Sequence, residues 1–179
     1  SNVTGTLLDV HAVVTLAKTV GAKVLLDGAQ RAPHGPLDLS AMGIDFYAFA
    51  GHKAYGPNGI GVLWAKAEHL EAMPPFHGGG SMIGRVTFAE TTWAPPPRRF
   101  EAGTPHISGA IGLAAAADYV TALGFDRIEA HEQALLRYAT ERLTDVPGVT
   151  IVGRAKQKAS IVSFTMEGAH PHDIGTILD

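Results

Sequence analysis

Val24-Leu25-Leu26-Asp27-Gly28-Ala29-Gln30 is a short apolar run that ends on an acid and a glycine. A second run, Phe46-Tyr47-Ala48-Phe49-Ala50, ends on Gly51-His52-Lys53. Short continuous apolar runs bounded by turn residues read as strands covered on both faces, as in a parallel sheet. Working outward, Val10, Val13, Val14, Ala17 and Val20 recur at helical spacing. Asp9 is a candidate N-cap for that helix, and Gly21 stands where a stop is expected. Ile60 to Trp64 reads as a third strand, and Lys66 to Met73 as a helix stopped by Pro74-Pro75. Strand–helix alternation over the first 65 residues predicts an α/β sheet.

Residues 74–106 carry no period, with Gly78 to Gly80 and Pro95 to Pro97 inside them. So long an unpatterned stretch is usually functional or packs on a partner. Residues 108–123 read as an Ala-rich helix. Phe125 to Leu143 reads as an amphipathic one with Ile128, Leu135, Leu136, Ala139 and Leu143 on its apolar side. Val149 to Val152 and Ile161 to Phe164 read as strands, and His172 to Leu178 as a helix start. This part reads as a second unit.

The chain has 179 residues and a net charge of −3, from Lys+Arg 14 against Asp+Glu 17. No basic block stands out, which argues against a nucleic-acid partner. No apolar run nears the roughly 18 residues that span a bilayer, so no membrane partner is expected. The start lacks the basic and apolar regions of a signal peptide, so a cytoplasmic location is expected. There is no cysteine, which excludes a disulfide, a thiolate metal site and a cysteine nucleophile within this chain. Gly51 to Gly61 is glycine-rich but lacks the spacing of a phosphate-binding nucleotide loop. His170 and His172 have no third ligand beside them, so no metal site is expected and a helix-start role is the simpler reading. Arg98 and Arg99 suit an anion or a salt bridge equally.

Two positions stand out by location. Asp27 directly follows one apolar strand, and Lys53 follows the next. In open α/β sheets ligands sit beyond the carboxyl ends of the strands. An amine and an acid on one rim can divide the work of pyridoxal phosphate. The amine forms a Schiff base with the aldehyde, and the carboxylate holds the pyridine nitrogen protonated. The blander reading is that Asp27 caps a turn and Lys53 is a solvated charge.

The flanks separate these readings. Val24 to Gln30, together with Phe49-Ala50-Gly51-His52-Lys53-Ala54-Tyr55-Gly56-Pro57-Asn58-Gly59-Ile60-Gly61, closely resembles the class V aminotransferase family, pyridoxal-phosphate enzymes of fold type I. Ser1-Asn2-Val3, Gly78 to Ile83 and Arg99-Phe100-Glu101-Ala102-Gly103-Thr104-Pro105 resemble the group II cysteine desulfurases, the SufS type. The resemblance implies pyridoxal 5'-phosphate as cofactor and Lys53 as the Schiff-base lysine, which then moves protons on the substrate carbon. It implies that Asp27 pairs with the pyridinium nitrogen and Gln30 bonds the ring hydroxyl. Asn2 would lie near that oxygen and the substrate carboxylate, and His52 would donate to the phosphate. Thr104 would reach the phosphate in the other subunit of a homodimer, with Gly78 to Ser81 at the interface. The implied parent activity converts L-cysteine to L-alanine plus an enzyme persulfide. That sulfur feeds iron–sulfur cluster assembly through an acceptor protein.

Selenocysteine lyase acting on L-selenocysteine, another class V enzyme, or an inert fragment without cofactor are the alternatives. The resemblance divides the chain into part of the large cofactor domain (1–117) and part of the small C-terminal α/β domain (118–179). Ala50 stands where the family commonly has a hydroxyl residue, and His106 where it commonly has Asn. The family's upstream histidine and its downstream cysteine and arginine have no counterpart here. The expectation is therefore a fragment of a roughly twofold longer enzyme, with little activity alone.

Overall fold

The computed structural model describes all 179 residues. The observed class is the α/β one expected. The helices are α1 (Val10–Thr19), α2 (Ala67–Ala72), α3 (Ile107–Leu123), α4 (Phe125–Thr144) and α5 (Pro171–Leu178). The strands are β1 (Leu25–Asp27), β2 (Phe46–Ala50), β3 (Gly61–Ala65), β4 (Ile83–Val86), β5 (Thr91–Trp93), β6 (Val149–Val152) and β7 (Ser163–Met166). The chain divides into two compact units. One comprises residues 11–29 and 38–119; the other comprises 1–10, 30–37 and 120–179. No single helix is long and apolar enough to cross a membrane.

In the first of these units the sheet order is β1-β2-β3. β1 runs parallel to β2, pairing Leu25 with Phe46 and Asp27 with Ala48. β3 returns antiparallel, pairing Phe46 with Ala65 and Ala50 with Gly61. Side chains alternate across a strand, so this register puts Leu26, Tyr47 and Trp64 on one face. Leu25, Ala48 and Leu63 share the other. Tyr47 is buried, whereas Leu25 and Leu63 are each 57% exposed. The expectation that β1 is covered on both faces therefore fails within this unit: Leu25 and Leu63 lie largely open, although a ring stacks on Phe46 of the same face.

The core of this unit sits beneath α1 and the strand starts, where Val14, Val24 and Ile44 are buried. Helix α1 ends where Gly21 takes a left-handed φ of 69°. That turn lets the Ala22 N–H reach back to the Ala17 carbonyl at 3.0 Å.

Residues 74–106 contain a hairpin that the sequence reading leaves irregular. β4 and β5 pair antiparallel, Ile83 with Trp93 and Val86 with Thr91, with an irregularity between Ile83 and Arg85. The Thr87 hydroxyl closes the turn by accepting the Glu90 N–H at 3.0 Å. Every residue of both strands is exposed. A hairpin that buries neither face has no apolar alternation to display, which is why periodicity missed it.

In the other unit β6 and β7 pair antiparallel, Val149 with Met166 and Val152 with Ser163, and Ile151 is buried. β7 begins two residues later than expected from Ile161. The preceding residues are held elsewhere: Lys158 bridges Thr6, and the Ala159 N–H bonds the Gly5 carbonyl at 2.8 Å. Leu135, expected on the apolar side of α4, is 52% exposed. At the start of α5 the His170 ring nitrogen accepts the His172 N–H at 3.2 Å, a helix-start role for that pair.

Candidate active site

Asp27 is the last residue of β1 and is exposed. Its Oδ1 accepts the Ala29 N–H at 2.9 Å, a local turn that fixes the carboxylate and leaves its second oxygen available. The Gly28 N–H continues the ladder to the Ala48 carbonyl at 2.7 Å. Gly28 has no room for a side chain, because a Cβ there would lie 1.9 Å from Tyr47 Cζ.

β2 runs directly into a single 3-10 turn, Gly51–Lys53. The Gly51 carbonyl accepts two N–H groups, Ala54 at 2.8 Å and Gly56 at 2.9 Å, and the Gly51 N–H donates to Ile60 at 2.8 Å. A Cβ on Gly51 would lie 2.9 Å from Ile60 Cγ2, so the glycine permits this closure. Tyr55 completes the turn at a φ of 61° and meets Tyr119 edge-on at 6.3 Å. His52 and Lys53 are exposed on this closed loop. Because β1 and β2 are adjacent, parallel and in register, Asp27 and the Lys53 turn leave the same end of the sheet.

Thr104 lies in the same unit, exposed, on the loop after a 3-10 turn at Arg98–Phe100. Its neighbour Gly103 donates to the Gly80 carbonyl at 2.9 Å, tying this loop to the glycine run. His106 packs beside Gly59, where an added Cβ would stand 3.7 Å from its Nε2. Asn2 and Gln30 are exposed and belong to the other compact unit. The structure thus brings Asp27, His52 and Lys53 to one sheet end and places Thr104 in their unit.

One polar cluster escaped the sequence reading. Asp45, just before β2, is buried at 7% exposure. Its Oδ2 accepts the Val24 N–H at 2.8 Å, while its Oδ1 lies 2.7 Å from His69 Nε2 and 3.2 Å from Lys66 Nζ. The His69 hydrogen bond first, then the Val24 N–H, then Lys66, hold the carboxyl well below the usual carboxylate range against a smaller opposing cost of burial. The His69 ring also stacks on Phe46 at 5.3 Å. Asp45, Glu68 and His69 place possible metal-ligand atoms within 4.8 Å of one another. Both Asp45 oxygens, however, already serve Val24, His69 and Lys66. The cluster sits at the start of β2, the end away from Lys53, and its work is structural. Nothing in the sequence marks it, since its partners lie 21 and 24 residues from Asp45.

The chain spans about 43% of the length of the curated relatives it matches. A probable cysteine desulfurase of Xylella fastidiosa is 50% identical over 179 residues, covering 100% of this chain. Probable cysteine desulfurase 2 of Mycobacterium leprae is 53% identical over 181 residues, with 43% of its length covered. Among solved structures, the cysteine desulfurase CsdA of Escherichia coli superposes with a TM-score of 0.94 at 42% identity, over 99% of this chain and 44% of that one. The cystine C-S lyase C-DES, solved with cysteine persulfide, gives 0.86 at 29% identity over 98% and 48%. The fold is accordingly the fold type I expected. The family model of the class-V aminotransferases matches residues 1–179, from end to end, and the chain belongs to that family.

Proposed function

We propose that the protein carrying this segment is a pyridoxal-phosphate-dependent cysteine desulfurase of the SufS type. One observation carries the proposal: a carboxylate and an amine follow adjacent, in-register parallel strands at the same sheet end. Similarity to relatives named cysteine desulfurase supports the choice of activity. The donor set also fits the cofactor. It offers one carboxylate for a cationic ring nitrogen, one primary amine for an aldehyde, and an imidazole for a phosphate. A C-DES mutant holds glycine covalently linked to that same cofactor, at a TM-score of 0.81.

When bound, pyridoxal phosphate supplies an electron sink for carbanion chemistry. Asp27 holds the ring nitrogen protonated with the oxygen its turn leaves available. Lys53 holds the aldehyde carbon and then moves the proton at the substrate Cα. His52 donates to the phosphate, Gln30 to the ring hydroxyl, and Asn2 lies near the substrate carboxylate. Thr104 donates to the phosphate in the partner subunit of a homodimer. L-Cysteine is the substrate. A thiolate from outside this chain, which has no cysteine, attacks the substrate sulfur. The new S–S bond forms as the C–S bond breaks, and its electron pair stays on carbon and takes a proton. The products are L-alanine and a protein persulfide. The enzyme works in the cytoplasm and passes its sulfur to an acceptor protein for iron–sulfur cluster assembly.

The full-length protein purified with pyridoxal phosphate is expected to be yellow, and Lys53→Ala to lose both the colour and borohydride fixation of the cofactor. A colourless wild type after cofactor addition refutes the proposal. The likeness to a cystine C-S lyase favours one rival, separated by product: a lyase releases pyruvate where a desulfurase releases alanine.

A further inference from the structure

Arg99 gathers backbone carbonyls from segments far apart in the chain. Its Nη1 reaches the carbonyls of Leu70 (3.4 Å), Glu71 (3.0 Å) and Met73 (3.2 Å). Its Nε donates to Ala94 at 3.2 Å, and its Nη2 lies 3.9 Å from the Glu71 carboxylate. The side chain is 18% exposed. The last carbonyls of any helix lack partners within that helix. Here Arg99 supplies donors to the end of α2 from 26 to 29 residues further along. It therefore closes the whole excursion from α2 to the Arg98–Phe100 turn with one guanidinium.

What that closure carries is the Thr104 loop. The turn is continued by Glu101, whose N–H bonds the Arg98 carbonyl at 3.0 Å. Gly103 follows at a left-handed φ of 88° and donates to Gly80 at 2.9 Å, inside the segment Arg99 closes. Thr104 is next. Arg99 thus fixes both ends of the frame from which the Thr104 hydroxyl is presented.

We propose that Arg99 is a positioning residue for cofactor phosphate binding, acting through Thr104. This inference rests on the reading of Thr104 as a phosphate donor. The Arg99 donors are taken up by these carbonyls; losing them frees the loop, and the hydroxyl no longer arrives in place.

The test is a double-mutant cycle in the full-length protein. Apo-protein is titrated with pyridoxal phosphate and the visible absorbance is followed for wild type, Arg99→Met, Thr104→Ala and the double variant. Losing one hydrogen bond to a charged group corresponds to about tenfold weaker binding, expected for Thr104→Ala and for Arg99→Met alike. The double variant is expected within about twofold of the weaker single, because coupled residues are not additive. Arg99→Lys, which keeps a cationic donor, is expected to recover part of the affinity. It replaces Arg99→Met in the cycle if that variant does not fold. A merely structural Arg99 would give additive losses, and that result overturns the inference. A loss in Thr104→Ala with unchanged affinity in the Arg99 variants overturns it alone. Unchanged affinity in Thr104→Ala overturns the phosphate reading of Thr104 and the positioning role with it.

Discussion

Replacing Asp45 by asparagine removes one charge from a nearly buried site without changing its shape. The Val24 N–H keeps an acceptor, but the interactions with His69 at 2.7 Å and Lys66 at 3.2 Å lose their anionic partner. Hydrogen bonds to charged groups are worth about 1.5–3 kcal/mol against about 0.5–1.5 for neutral ones, so two such downgrades cost about 2–3 kcal/mol. Asp45→Ala also orphans the Val24 N–H and is expected to cost about 3–5 kcal/mol. The assay is urea unfolding of the full-length protein with hydrogen exchange of the peptide containing Val24. The exchange reports local opening separately from global unfolding.

The pH dependence has a defined sign. The folded pKa of Asp45 is depressed, so its contribution is whole above the unfolded value of about 3.9 and is lost as pH falls below that. The gap between wild type and Asp45→Asn is therefore expected to narrow below about pH 4. Equal stability of the two proteins at pH 7, or a gap that widens in acid, refutes the reasoning.

Two further outcomes are expected. Gly28→Ala drives a methyl to 1.9 Å from the Tyr47 ring, and should cost at least the ~1–3 kcal/mol of an overpacked core; a smaller Tyr47 side chain, in Gly28→Ala/Tyr47→Leu, should recover part of it in the same unfolding assay. Ile44 is fully buried, and Ile44→Ala is expected to lower stability by about 2–5 kcal/mol, read from the urea midpoint.

The sheet end that carries the site was legible because its strands announce themselves. Phe46 to Ala50 is a continuous apolar run, and β2 occupies those same residues. Asp27 and Lys53 could be placed beyond strand tips on local sequence alone, and their gathering required only that β1 and β2 be neighbours. The parallel register was not legible, nor was the open face, since burial of Leu25 depends on what packs above it. The β4–β5 hairpin stayed hidden because both its faces meet solvent. Arg99 was read as a residue for an anion or a salt bridge. Its main partners turned out to be carbonyls, which carry no sequence signal. The Asp45 cluster was invisible for a related reason: its chemistry comes from side chains and a backbone amide that only tertiary structure assembles.

The pairing of β1 with β2 has a consequence for how such proteins tolerate insertions. Asp27 is anchored from both sides, by the ladder to Ala48 and by its own turn with Ala29. The segment from 30 to 44 that joins the two strands contributes no rung to that ladder. Extra residues spliced near its exposed positions would lengthen the connection and leave the acid where it is. A single residue added between Val24 and Asp27 would instead turn the carboxylate to the opposite side of the sheet, because side chains alternate from one residue to the next.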